Sequence, residues 1–278
     1  MSKLLISEIG RMLKSKIFWV CAAAVFAASV WIMQMGGIAV KNGRVVTLEE
    51  YFFYLGPVVP LFFSVFISMF MGTEHSDGTV RNKLMIGYSR KQLYLTYYLT
   101  CLIGVGILIA AWFLGGLTGI PVLGSWTMGV TEILTCVLIT ILYCALLTAV
   151  FSFFSVMISS KAASAVVQIV FAILMILLGS TIYNQLCEPE LSSGLILVDG
   201  EIVMSEPELN PAYIGGTMRK ICIALLNIIP TGQGILMLHK ESLGNVPSII
   251  PLQIISSAVL AFVVTSVGIL LFRKKDLK

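Results

Sequence analysis

Residues with the chemistry to grip a partner concentrate in one polar stretch of this chain, residues 72–91. Glu74, Asp77, Arg81, Asn82, Lys83, Arg90 and Lys91 lie there with Gly78, Thr79 and Leu84. These types form ion pairs and orient a neighbour; none is a nucleophile set beside a base. Elsewhere, Glu49 and Glu50 make a pair of carboxylates. They stand at the edge of an apolar run, and Thr47 with Glu50 has the spacing of a capping box. The only histidines are His75 and His239, and no CxxC occurs, so neither a metal site nor a catalytic site is expected. Cys187 and Cys222 fall in the largest polar loop and could pair if that loop lies outside; the other four cysteines sit in apolar runs.

The elements that must position this stretch are membrane spans. Apolar residues make up 58% of the chain and charged residues 12%, about half the charge of a soluble domain. Mean hydropathy is +0.98. A hydrocarbon core about 30 Å thick needs roughly 20 apolar residues in a helix. Six segments qualify: 17–36, 51–73, 92–119, 130–158, 162–184 and 250–272. Pro57 and Pro60 lie inside the second, as a hinge or a packing device, and Pro121 ends the third. Residues 221–238 are apolar but interrupted, and read as two short half-helices hinged at Pro230. Residues 1–16 have the pattern of an amphipathic helix. Lys3, Ser7, Arg11 and Lys14 take one side, and Leu4, Leu5, Ile9, Met12 and Leu13 the other. Such a helix lies at the lipid headgroups, and the apolar run after it is long enough for a retained anchor rather than a signal peptide.

Charge sets the expected direction. With the N-terminus inside, all but five of the 18 Lys and Arg residues face the cytoplasm; only Lys41, Arg44, Arg219, Lys220 and Lys240 fall outside. Residues 74–91 are then cytoplasmic. Thr79 to Ile86 read as a short helix capped by Ser76 or Asp77 and stopped at Gly87, and Ser89 with Gln92 opens the third span. The basic residues flank spans and form no separate domain, which argues against a nucleic-acid partner. In the large outer loop, 195–198 and 201–204 read as a β-hairpin around Asp199-Gly200. Glu188, Glu190, Asp199, Glu201, Glu206 and Glu208 make that loop acidic, as a solvated lid or an attractor of cations. Phe62, Phe66 and Phe70 repeat on one helix face and line a substrate path or pack against lipid. Gly115 and Gly119 form a close-packing GxxxG, and Tyr94, Tyr97 and Tyr98 read as an interfacial belt.

Glu74-x-x-x-Gly78-Thr79, followed by Arg81, Lys83, Leu84, Gly87 and Ser89-Arg90, resembles the first cytoplasmic loop of bacterial ABC permeases of the type-2 exporter class. Asn227-x-x-Pro230-x-Gly232-Gln233 and the ending Phe272-Arg-Lys-Lys-Asp276-Leu277 extend the likeness over the whole chain. The resemblance implies an all-α, single-domain integral membrane protein with six transmembrane helices. An elbow helix (1–16) precedes them, a cytoplasmic coupling helix lies in the loop 74–91, and re-entrant half-helices sit in the outer loop 185–249. It implies a multi-pass permease of the bacterial cytoplasmic membrane, with both termini inside. Glu74, Asp77, Gly78, Thr79, Arg81, Asn82, Lys83, Leu84, Arg90 and Lys91 would meet a separate ATPase, present in two copies. Charges would orient that docking, with Val80, Leu84 and Met85 supplying apolar contact. No GxxxxGK[ST] occurs, so ATP and magnesium would be held by the partner and none by this chain. A second permease copy or a related permease, and membrane lipids, complete the partners. The implied cargo is a small amphipathic compound, a peptide antibiotic or a lipid. The rival reading is an ion-gradient-driven transporter or channel subunit, which usually keeps ionisable residues near mid-membrane; these spans have none there. Glu49-Glu50 also resembles the paired glutamates of membrane prenyl-proteases, but Tyr54 stands where that pattern has Arg.

Overall fold

The computed structural model describes residues 2–193, 195–198, 201–204, 206–238 and 246–275. Among these residues, twelve helices run from α1 (Ser2–Lys14) to α12 (Ile250–Lys274). Five are long and apolar enough to cross a bilayer: α2 (Lys16–Lys41), α6 (Arg90–Leu117), α8 (Val130–Met157), α9 (Lys161–Cys187) and α12. The chain is thus a multi-pass membrane protein. Pro121 does not end the third span. α6 stops at Leu117, and Pro121 lies in the first turn of α7 (Ile120–Leu123), where a missing N–H is harmless.

The expected second span, 51–73, is not one helix. It divides into α3 (Leu48–Phe53) and α4 (Val59–Ser76), joined by tight turns over residues 54–58. Pro57 lacks an N–H to continue the ladder, and Pro60 fits in the first turn of α4, so the chain restarts there. Exposed loops are not tolerated at membrane depth, and this one is covered by protein. Trp112 Nε1 donates to the Phe52 carbonyl at 2.9 Å, and the Tyr143 hydroxyl reaches the Gly56 carbonyl at 3.4 Å. Beyond it α4 packs at the centre of the bundle against α9, α8 and α2.

The interrupted segment 221–238 behaves as expected. α10 (Gly216–Ile228) and α11 (Pro230–Leu238) meet at 97° around Ile229. Thr231 Oγ1 donates to the Met175 carbonyl, halfway along α9, at 2.7 Å. Buried Asn227 ties the pair to the start of α12: its Oδ1 accepts from Ile249 N at 2.7 Å and Gln253 Nε2 at 2.8 Å. Gln233 and Ser257, also buried, bond each other at 3.0 Å. A Cβ at Gly234 would come within 2.9 Å of backbone atoms of Gly56 and Pro57, so α11 rests directly on the 54–58 turn.

The hairpin forms from β2 (Leu195–Val198) and β3 (Glu201–Met204), with Val198 opposite Glu201. Its turn, Asp199-Gly200, lies outside the described residues. β1 (Leu191–Ser192) and β4 (Glu208–Leu209), not foreseen, pair beyond it. Cys187 and Cys222 are free thiols at the edge of a second, smaller apolar cluster that includes Leu186 and Leu226. Tyr94 and Tyr97 are not an interfacial belt: both are 1% exposed and point into the bundle, while Tyr98 is half-buried. Gly115 keeps its close-packing role, since a Cβ there would sit 2.8 Å from Ser29 on α2.

Gly234→Ala is expected to lower stability by about 1–3 kcal/mol by overpacking, read from thermal unfolding of detergent-purified protein. Gly106→Ala, where a Cβ meets nothing within 4 Å, should match or exceed wild type.

Candidate functional site

At one end of the bundle the basic clusters converge. There α5 (Thr79–Met85) packs on the end of α4, and its Lys83 reaches α1 and the first turns of α6. Glu8 on α1 and Glu74 on α4 are both buried, at 2% and 3% exposure. Isolated carboxylates so placed would be costly, and two cations resolve this. Arg11 reaches Glu8 at 2.8 Å and Glu74 at 2.7 Å. Lys83 Nζ bonds the other oxygen of each carboxylate. Acid and base alternate around a closed, neutral ring joining α1, α4 and α5. Tyr97 on α6 adds a hydroxyl bond to Glu74 at 2.8 Å. The Arg11 guanidinium lies 4.1 Å from the centre of the Phe70 ring.

Burial alone would raise the Glu74 pKa. The Lys83 hydrogen bond, the Arg11 and Lys83 charges and the Thr79 bond outweigh it and hold the carboxyl below its ordinary 4.5. The same elements explain the local backbone. Gly78, at φ +66, caps α5 in the left-handed region that glycine favours, where Ser76 or Asp77 was expected. Thr79 Oγ1 donates to the Glu74 carbonyl at 3.0 Å. Gly87, at φ +104, ends the helix as foreseen, and Ser89 with Gln92 forms the full capping box that opens α6.

The expected docking residues divide into two sets. Glu74 and Lys83 are in the ring. Arg90 points back into the chain: its Nη1 donates to the carbonyls of Phe272 at 3.0 Å, Arg273 at 3.1 Å and Lys275, closing the C-terminal end of α12. Lys275 in turn caps α8 through the Val156 carbonyl at 2.8 Å. Val80 is 3% exposed and Leu84 packs on the core, so neither offers the outward apolar contact expected of it. The outer face of the segment carries Asp77, Gly78, Arg81, Asn82, Met85, Ile86 and Lys91. Met85 is 70% and Ile86 76% exposed. Of the three phenylalanines, Phe66 stacks on Phe18 and Phe70, Phe70 lies under Arg11, and only Phe62 keeps partial exposure.

Sequence reasoning missed Glu8 and Tyr97. A signal for Glu8 existed: Leu4, Glu8 and Met12 share one helix face, and an acid amid apolar neighbours needs a buried partner. The whole face is buried, Met12 beside Phe66 against α6. Tyr97 carried no such signal, because tyrosine suits either a span end or a core bond. Glu49 is structural: its Oε1 accepts from the backbone N–H of Thr127 and, at 2.8 Å, of Met128. No group of His, Cys, Asp or Glu among the described residues could hold a metal ion.

Residues 4–175, more than half of the chain, match the family model described as ABC-2 family transporter protein. No curated protein matches the chain.

Glu74→Ala leaves two partly buried cations, Lys83 and Arg11, on the single carboxylate of Glu8 and should lower stability by about 3 kcal/mol. The Glu74 contribution is whole above pH 4.5 and is lost as pH falls through its depressed folded value. The melting-temperature gap between wild type and Glu74→Gln should therefore narrow as pH drops below 4.5.

Proposed function

The chain belongs to the ABC-2 transporter family, and on that premise we propose that it is the permease subunit of an ATP-driven exporter worked by a separate ATPase. The carrying observation is the outward face of α5. Met85 and Ile86 stand exposed between Arg81 and Lys91, on a segment braced from beneath by the charged ring. Positive-inside bias puts that end in the cytoplasm, with both termini. Exposed ion pairs contribute only about 0–1 kcal/mol each. Burying an apolar side chain contributes about 1.5–3 kcal/mol. Met85 and Ile86 therefore supply the grip, while Asp77, Arg81, Asn82 and Lys91 set orientation. Gly78 gives the turn that presents them. Glu74, Thr79, Lys83 and Leu84 brace the segment, and Arg90 ties it to α12.

Two ATPases, each holding ATP and magnesium, would dock on two permeases, either copies of this chain or this chain and a related one. Closing the ATPases pushes α5. The ring passes that push to α1 and α4 together, because α5 cannot move alone without exposing two carboxylates. The load reaches α12 through Arg90. A path between the two permeases then opens outward for a small amphipathic compound, a peptide antibiotic or a lipid.

Purified from its own membranes, the wild-type chain should bring with it an ATPase bearing a P-loop, identified by mass spectrometry. The double variant Met85→Asp, Ile86→Asp should lower that recovery at least tenfold with the amount of permease in the membrane unchanged. Full recovery with the double variant, or an intact wild-type protein without any such ATPase, would overturn the reading.

A further inference from the structure

Below the charged ring, a pocket of about 340 Å³ opens between the end of α1, the start of α2 and the last turns of α4. That is within the ~300–1,000 Å³ range of small-molecule sites. Its floor is apolar, made by Ile17, Met69 and Phe70. Its polar lining carries both charges: Arg11, Lys14 and Ser15 from α1 and the α1–α2 junction, Glu74 and Asp77 from the end of α4 and the turn after it, with Arg11 and Glu74 already paired to each other. Lys14 is exposed and makes no ion pair among the described residues.

The depth of this pocket follows from its neighbours. Ile6 and Leu13 are exposed on α1, at 68% and 40%. Trp19, 54% exposed, turns its Nε1 back to the Leu13 carbonyl at 2.7 Å. A tryptophan with a wet edge and an apolar body marks the membrane–water boundary. Lys14 and Ser15, just before that tryptophan, therefore lie at headgroup level.

We propose that this pocket holds the headgroup of an aminophospholipid. The phosphate sits against Lys14 and Ser15, the ammonium faces Asp77, and the first acyl methylenes cover Ile17, Met69 and Phe70. A purely anionic headgroup leaves Asp77 facing negative charge, and a free phosphate leaves the apolar floor uncovered. Asp77 is shared with the docking face proposed above, but lipid occupancy needs no ATPase, so the two readings fail separately.

The test uses the full chain in detergent, stripped of lipid and exposed to mixed micelles of phosphatidylethanolamine, phosphatidylcholine and phosphatidylglycerol in equal amounts. Retained lipid is read by native mass spectrometry. Wild type should keep phosphatidylethanolamine in preference to both others, because the quaternary ammonium of phosphatidylcholine has no N–H to donate. Lys14→Glu should lower that retention about tenfold, and Asp77→Lys should turn the preference toward phosphatidylglycerol. Both positions are exposed, and thermal unfolding of each variant checks that it is folded. Equal retention of the three lipids, an unchanged preference in both variants, or displacement by soluble phosphoethanolamine at matched concentration would each overturn the proposal.

Discussion

Two carboxylates and two cations, alternating around a closed circuit beneath α5, are what the working end of this protein depends on. Each charge alone would be destabilising at such low exposure. Together they are neutral, and every carboxylate oxygen is bonded. The circuit draws one residue pair from α1, one acid from α4 and one cation from α5, so it fixes three elements by mutual need. Phe70 beneath Arg11 and Tyr97 beside Glu74 close it off from the apolar core. Apolar packing could press these helices together, but only directional bonds set the angle at which α5 crosses the end of the bundle.

The far half of the molecule uses the same logic with neutral groups. The break at 54–58 and the break at Ile229 would each be intolerable if they faced lipid. Protein covers both: Gly234, Trp112 and Tyr143 close over the first, and Thr231 ties the second to the Met175 carbonyl on α9. Asn227, Gln233, Gln253 and Ser257 then fasten the bent pair α10–α11 to α12 with amide and hydroxyl bonds. Most of α12 is otherwise apolar and open on its outer side. It is held by polar contacts at both ends, amides at one and Arg90 at the other.

Length and hydropathy are robust signals, and α2, α6, α8, α9 and α12 were legible from them. The hinge at Pro230, the stop at Gly87 and the box at Ser89 and Gln92 were legible because their chemistry is local. The split of the second segment was not. Pro57 and Pro60 announce a distortion, but whether a helix bends or breaks depends on what covers the freed carbonyls, and those covers come from residues as distant as Gly234. At the site, the segment 74–91 was visible, yet which of its residues face outward was not. Lys83 and Arg81 look alike in a row of letters; only the buried acid on α1 turns one of them inward. The same holds for Tyr97, whose partner lies 23 positions away.

The charged circuit also bears on how the chain is built. Glu8 and Arg11 leave the ribosome long before Lys83 and Tyr97 exist, since chains emerge from the N-terminus onward. Until the fourth charge arrives, α1 has no neutral seat against the bundle and must wait, hydrated, at the bilayer surface. Its final docking therefore follows synthesis of α5, so a helix made before α4 and α5 settles only after both.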